Sequence, residues 1–316
     1  MTAPRAVRRV CSGVVVAALA VASLVACTSS DEPDRTVTVS GSFGGVPQLE
    51  FAKPLTVTEP YIEVVWEGDG PEAVEGSTVL LNLFGQDGRD GTQIVDTYDE
   101  LPRVHEVTVD SLGGRLHSAL LGQEAGARVL VVEEVDDTPV VLVADLIAGR
   151  AVGDEVDVPE GLPSVALDDS GAPTVTLPDS GPPESLVVQP LVRGVGNQVK
   201  AGQTVIVQYT AVAWSSGEVI DSSWPEGRAP FTTIVGDSRP VAAWDEGLIE
   251  QTVGSQVLVV APPAWAYGGT DSAWAEETVV FVVDILYAGT LAAPEDTGTQ
   301  ESDEGTGSDE QPAEDE

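Results

Sequence analysis

The sequence predicts an α+β protein in which an antiparallel β-sheet packed on one short α-helix is present twice. Three observations predict it: an ordered internal repeat, β-branched runs bounded by glycine or polar residues in each copy, and a brief helical pattern between strands. The chain has 316 residues and is 42% apolar, which suffices for two modest cores and exceeds the usual span of one domain.

Residues 1–26 are expected to be a lipoprotein signal peptide. Arg5, Arg8 and Arg9 precede a short apolar run rich in alanine and glycine, which ends in LVAC. The run is too short to make a comfortable transmembrane helix. LVAC resembles the bacterial lipobox, in which cleavage leaves a lipidated cysteine at the new N-terminus, here Cys27. Of the two cysteines, Cys11 would leave with the leader, so Cys27 would be the only thiol left and no intramolecular disulfide could form. The expected location is the extracytoplasmic side of the cell membrane, held by the lipid, with residues 27–39 as a linker.

Residues 40–150 form the first copy and residues 161–290 the second, with 151–160 as connector. GDGPEAVEGSTVLLNLFG (68–85) aligns with GVGNQVKAGQTVIVQYTA (194–211), and QIVDT (93–97) with EVIDS (218–222). LHSALLGQEAGARVLVVEE (116–134) then aligns with WDEGLIEQTVGSQVLVVAP (244–262), and VVLVADLIAG (140–149) with VVFVVDILYAG (279–289). TVIVQYTAV, QVLVVA and TVVFVVDIL read as strands. VAAWDEGLIEQ, about 241–251, reads as a helix with Trp244, Leu248 and Gln251 on one face and Gly254 ending it. APPAWAYGG (261–269) reads as a rigid loop carrying Trp265 and Tyr267. Residues 291–316 read as an acidic disordered tail, since 295–316 hold ten acidic residues and no basic one.

Composition narrows the function. The formal net charge is −38, and the leader takes away three of the 14 basic residues and none of the 52 acidic ones, so nucleic acid and anionic surfaces are poor partners. The two histidines, His105 and His117, both lie in the first copy, so a Ser-His-Asp triad has no base in the second. No GxSxG occurs, and a zinc site would have only carboxylates and those imidazoles as ligands. Gly194 and Gly196 precede a strand rather than follow one, unlike a dinucleotide loop.

The second copy, with YTAVAWSSGEVIDSS, PFTTIVG, VAAWDEGL, TVGSQVLVVAPPAWAYG and TVVFVVDIL in that order, resembles the FKBP-type peptidyl-prolyl cis-trans isomerases. The resemblance implies a twisted antiparallel sheet wrapped around a short helix, with an aromatic pocket between them. It assigns catalytic roles to Tyr209, Asp221, Phe231, Trp244 and Tyr267, with Trp244 as pocket floor and the Tyr267 hydroxyl donating to a substrate carbonyl. Ile220, Val241, Trp274 and Phe281 are expected to line the substrate site, and Arg228 is a candidate partner of Asp221. No cofactor and no metal are implied, and the implied substrates are proline-containing exported polypeptides. Ile220 stands where the family has an aromatic, Thr233 where it has a second aromatic and Ala243 where it has glycine. The loop from Gly268 to Thr278 is also short. These rim departures count against tight binding of macrolide inhibitors. In the first copy Leu83 and Leu116 replace the strand tyrosine and floor tryptophan, VVEEVDDTPVVL leaves no room for the Tyr267 loop, and Asp96 alone matches the set, so this copy is expected to be degenerate. Two readings follow: a membrane-anchored isomerase, or a non-catalytic lipoprotein that uses both copies for binding or chaperoning.

The anchor expectation is checked by labelling cells with a fatty acid. The wild type should take up label and sediment with membranes, and Cys27→Ser should take up no label and either be released or remain as uncleaved precursor; an unlabelled wild type would refute the anchor.

Overall fold

The computed structural model describes residues 36–225, 227–236 and 240–290; the expected leader, Cys27 and the acidic tail lie outside them. These residues fall in one compact unit. Its first half contains β1 (Val37–Ser40), β2 (Gln48–Phe51), β3 (Tyr61–Trp66), β4 (Thr78–Asp87), β5 (Gln93–Asp96), β6 (Arg103–Glu106), α1 (Val109–Leu112), α2 (Gly114–Leu120), β7 (Arg128–Val135) and β8 (Thr138–Ala148). The second contains β9 (Gly153–Glu155), β10 (Ser164–Leu167), β11 (Pro173–Thr176), β12 (Val187–Gly194), β13 (Thr204–Ala213), β14 (Val219–Ser222) and β15 (Phe231–Ile234). It continues with α3 (Ala242–Leu248), β16 (Gln256–Ala261), a single 3-10 turn at Pro263–Trp265 and β17 (Val279–Gly289).

The α+β expectation holds, and the repeat extends to topology. The first sheet runs β3-β7-β8-β4-β5 with β6 also on β4; the second runs β9-β12-β16-β17-β13-β14 with β15 also on β13, so β9 is an edge strand added to the shared order. Every pairing in both sheets is antiparallel. Gly68 and Gly194 occupy matching places where a Cβ would meet a backbone oxygen at 2.2 Å (Glu124) and 2.3 Å (Val253), so the close crossing beside each sheet admits no side chain.

Each sheet is covered on both faces, which explains why β16 and most of β17 are buried without alternation. On one face α3 lays Trp244 and Leu248 against Val257, Val259, Phe281 and Val283. On the other, the hairpin β10–β11 supplies Val165 and Val175 to a second cluster with Leu258, Val260, Val280 and Val282. The first half repeats this, with α2 inside and the hairpin β1–β2 outside. A third cluster joins the halves: Leu80, Ile147, Ile206 and Leu286 meet there, Leu80 and Ile206 hold matching places on β4 and β13, and Leu80 pairs with Ile147 as Ile206 pairs with Tyr287.

Several expectations change. The two stretches expected as linkers contribute β1 and β9, the latter pairing with β12. The helix expected at about 241–251 is Ala242–Leu248, and Gly254 does not end it. The chain leaves the helix at Ile249 because Glu250 takes φ of 70° and its N–H bonds Val199 O at 3.0 Å, while Val199 N–H bonds Gln251 O at 2.8 Å. Those backbone bonds to the segment before β13 outcompete another helical turn. The first half has two brief helices, α1 and α2, where one was expected.

The halves differ in one buried polar pair. Arg128 and Asp145 face each other across β7 and β8, both fully buried and 2.5 Å apart from Nε to Oδ1. Arg128 also donates to Ser42 O (3.0 Å) and Gly45 O (2.8 Å), and Gly44 N–H donates to Asp145 at 2.9 Å, so the ion pair fastens the turn of β1–β2 to the sheet. The matching places in the second half hold Gln256 and Asp284. Asp284 accepts from Gln256 Nε2 at 2.7 Å and from Ala151 N–H at 2.8 Å, and the positive charge that acts on it is the partly exposed Arg150.

Burial pushes the Asp284 carboxyl up to about 6 from 3.8. A raised carboxyl value means that the folded state keeps a proton the unfolded chain has already lost. Stability is therefore expected to fall as pH rises from about 4 to about 6 and to stay lower above that, by about 3 kcal/mol from this group. Urea unfolding of the wild type and Asp284→Asn across that range checks it: the substitution should flatten this part of the profile, and an unchanged slope would assign the dependence elsewhere.

Candidate functional site

Four aromatic rings meet edge to face between the inner face of the second sheet and α3. Trp244 is the centre, with ring centroids 5.3 Å from Tyr209, 5.8 Å from Phe231 and 6.1 Å from Phe281; Tyr209 and Phe231 lie 6.0 Å apart. Edge-to-face packing of this kind adds roughly 0.5–1.5 kcal/mol per pair beyond area burial. Tyr209 comes from β13, Phe231 from the start of β15, Trp244 from α3 and Phe281 from β17. The box is graded in depth: Trp244 is 1% exposed and Phe281 2%, whereas Phe231 is 37% exposed and forms an edge open to solvent. Trp244 Nε1 is buried with no hydrogen-bond partner among the described residues. Val241, buried at the N-terminus of α3, and Ile220 on β14 belong to the same apolar cluster.

A polar edge adjoins the rings. The Tyr209 hydroxyl donates to Asp221 Oδ2 in a short hydrogen bond, and Arg228 Nη2 donates to Asp221 Oδ1 at 2.7 Å. Burial and then the Asp221 carboxylate hold the Tyr209 hydroxyl well above the ordinary phenol range, so it stays a neutral donor. The Arg228–Asp221 pair is about half exposed, so its contribution is mainly orientation.

The loop between β16 and β17 brings Tyr267 over this arrangement. Pro262 precedes the 3-10 turn, and Gly268 N–H bonds Pro263 O at 2.6 Å. A Cβ at Gly268 would sit 2.5 Å from that oxygen, so the tight reversal after Tyr267 requires glycine there. Tyr267 packs on the aromatic cluster together with Trp265 and Ala266. Its hydroxyl is raised first by burial and then by the Asp221 charge, and it bonds no group among the described residues.

The structure thus brings Tyr209, Ile220, Asp221, Phe231, Val241, Trp244, Tyr267 and Phe281 together. Trp274 is the exception. It does not pack on the cluster, because its backbone is held in consecutive turns by Ser272 Oγ and by the N–H of Glu277, whose carboxylate is bound in turn to Ser215. Trp265, noted only as part of the loop, takes the packed position.

Strand register allows a residue-by-residue comparison with the first half. Leu83 stands at the place of Tyr209, Leu142 at that of Phe281 and Arg103 at that of Phe231. Leu116 is the third residue of α2, as Trp244 is of α3. The match of Asp96 to Asp221 is corrected: Gly85 pairs with Val95 as Ala211 pairs with Asp221, so Val95 holds that place and Asp96 corresponds to Ser222. Asp96 does what Ser222 does, accepting from the N–H two residues on, Tyr98 and Trp224 respectively. β7 and β8 are joined by the tight turn Asp136–Asp137, both at positive φ, in place of the Tyr267 loop. Among the described residues no group of three or more His, Cys, Asp or Glu side chains is placed to hold a metal, and no helix is long and apolar enough to cross a membrane.

Trp244→Ala should open a cavity beneath three rings and cost about 3–5 kcal/mol in denaturant unfolding. Trp244→Leu reproduces what α2 carries at the same place, so it should leave the domain folded at a smaller cost. Equal losses for the two variants would contradict the central packing role.

The family described as FKBP-type peptidyl-prolyl cis-trans isomerase matches residues 196–286. An FK506-binding protein of Streptomyces anulatus is 34% identical over 108 residues, covering 33% of this chain and 86% of the relative. A probable FK506-binding protein of Corynebacterium glutamicum is 33% identical over 108 residues, covering 34% and 89%. The peptidyl-prolyl cis-trans isomerase FKBP1A of Xenopus laevis is 33% identical over 84 residues, covering 26% and 76%. With the fold, the aromatic box and most of the length of such relatives matched, the chain belongs to the FKBP-type peptidyl-prolyl cis-trans isomerase family.

Proposed function

We propose that the second half catalyses cis-trans isomerisation of X-Pro bonds in exported polypeptides, at a membrane surface to which Cys27 tethers the chain. The observation that carries this reading is the four-ring box around Trp244 with the unpartnered Tyr267 hydroxyl beside it. A prolyl amide resists rotation with a barrier of about 18–20 kcal/mol because its C–N bond is partly double. At the twisted transition state that resonance is lost, so the carbonyl is less dipolar than in the planar amide. An apolar, ring-lined site therefore binds the twisted form better than the planar one, and that difference is what accelerates the reaction.

The pyrrolidine ring would lie on the indole of Trp244 between Tyr209, Phe231 and Phe281. Tyr267 would donate to a carbonyl of the bound segment and hold it in register. Tyr209 and Asp221 occupy each other, which keeps the carboxylate from presenting an unpaired charge to the site. Spontaneous exchange takes roughly tens of seconds, and reaching milliseconds needs about four decades, or about 5.5 kcal/mol. Desolvation by the rings plus one oriented hydrogen bond is of that order, with no group transferred and no covalent intermediate.

The first half keeps the fold and lacks the box, which favours a supporting or binding role for it within the same chain. In the full-length protein, Tyr267→Phe removes one hydrogen bond of about 0.5–1.5 kcal/mol and should lower kcat/KM about two- to tenfold without loss of fold. NMR exchange spectroscopy on a short X-Pro peptide reads the rate directly. Combining Tyr209→Leu with Trp244→Leu, as in the first half, should return exchange to its spontaneous value. Residual catalysis in that folded variant would assign activity to the first half, and a spontaneous rate with wild type would refute the enzyme reading.

A further inference from the structure

A cleft of about 700 Å³ lies where the two halves meet, within the roughly 300–1,000 Å³ usual for ligand sites. One wall is the segment before β4, with Glu72 and Glu75; another is the turn of β10–β11, with Asp169. The wall from the second half includes Gln208, Trp224 and Arg228. None of these but Arg228 takes part in the arrangement around the aromatic box.

Arg228 makes the cleft continuous with that arrangement, since the same guanidinium binds Asp221, the acceptor of Tyr209. A chain bound across the rings and continuing past Asp221 would enter the cleft. Gln208 supplies a donor there: its side chain is 3% exposed, its Oε1 accepts from Ser223 Oγ, and its Nε2 has no partner among the described residues. An amide N–H left open at the cleft can donate to an acceptor there, and a peptide carbonyl is one. Trp224 is half-buried and presents a ring to the cleft, a surface that suits the methylene stem and charge of a lysine or arginine side chain. Four carboxylates line the cleft, Glu106 being the fourth and Glu75 already bound to His117, against two guanidiniums, of which Arg228 is already paired.

We infer that the cleft between the halves holds the stretch of substrate polypeptide flanking the isomerised proline, and selects stretches that carry lysine or arginine. This rests on the isomerase reading and extends it to substrate choice. The acidic tail of the chain itself is excluded as occupant by like charge.

The test uses the full chain and peptides sharing one X-Pro core: a short one, and longer ones flanked by lysines or by glutamates. Exchange rates give kcat/KM, and fluorescence anisotropy gives binding of the lysine-flanked peptide. Wild type should favour the lysine-flanked peptide by about three- to tenfold, the effect of a few exposed ion pairs. Glu72→Lys combined with Asp169→Lys should abolish that preference and leave turnover of the short peptide unchanged. Glu59→Lys combined with Glu134→Lys changes net charge equally away from the cleft lining and should retain it. Equal values for the two flanks, or equal loss in both double variants, would overturn the proposal. If the short peptide is not turned over at all, the isomerase reading fails by itself; the anisotropy comparison then decides the cleft by the same criteria.

Discussion

The second half depends on the burial of one side chain. Trp244 is 1% exposed on a helix of seven residues, and that helix has no side-chain hydrogen bond at its N-terminus. So short a helix is unstable alone, and tertiary packing of its apolar face must hold it. The sheet supplies that packing from β13, β15, β16 and β17. Gly247 lets the helix approach closely, since a Cβ there would sit 2.8 Å from Val259 Cγ2. The same contacts fix the faces of Tyr209, Phe231 and Phe281, so core packing and site geometry are one arrangement. A core that ends in a half-exposed phenylalanine leaves apolar surface unburied, and this is where a substrate ring can add to it.

The first half shows what the fold requires without the site. It retains the strand order, the inner helix and the covering hairpin, while leucines take the places of Tyr209, Trp244 and Phe281. Aliphatic side chains close that core without leaving an edge-to-face box. The two-residue turn after β7 removes the segment that carries Tyr267 in the other half. The buried polar pair diverges as well: Arg128 and Asp145 neutralise each other, whereas Gln256 leaves Asp284 with neutral donors only. Replacing the arginine turns a matched pair into a titrating group at the same point of the sheet.

The repeat, the antiparallel strands and the aromatic residues were legible in the sequence because glycine spacing, β-branched runs and rare aromatics survive alignment. The Asp96 assignment was not. Both copies place an aspartate in the edge strand, but a bulge between Ala211 and Val212, matched between Gly85 and Gln86, sets which residue faces the rings. A bulge has no signature in residue type alone, and slipping by one residue moves a side chain to the other face. Trp265 and Trp274 sit in one loop, and backbone contacts separate them: the reversal at Gly268 against Pro263 O follows Trp265, while turns closed by Ser272 Oγ and Glu277 N–H hold Trp274 away from the cluster. The hairpins β1–β2 and β10–β11 have no such mark, because four-residue strands beside polar turns resemble linkers. The cleft lies between segments distant in sequence, which no local pattern reports.

The central claim is that the rings around Trp244 receive the prolyl amide and that the matching place in the first half does not. Titrating the full-length protein with a short X-Pro peptide while recording side-chain and backbone NMR shifts tests it most directly. Saturable shifts should appear at Trp244, Tyr209, Phe231 and Tyr267, with none at Leu83, Leu116 or Leu142. Saturable shifts confined to the first half, or an unperturbed Trp244 indole at saturation, would contradict the account.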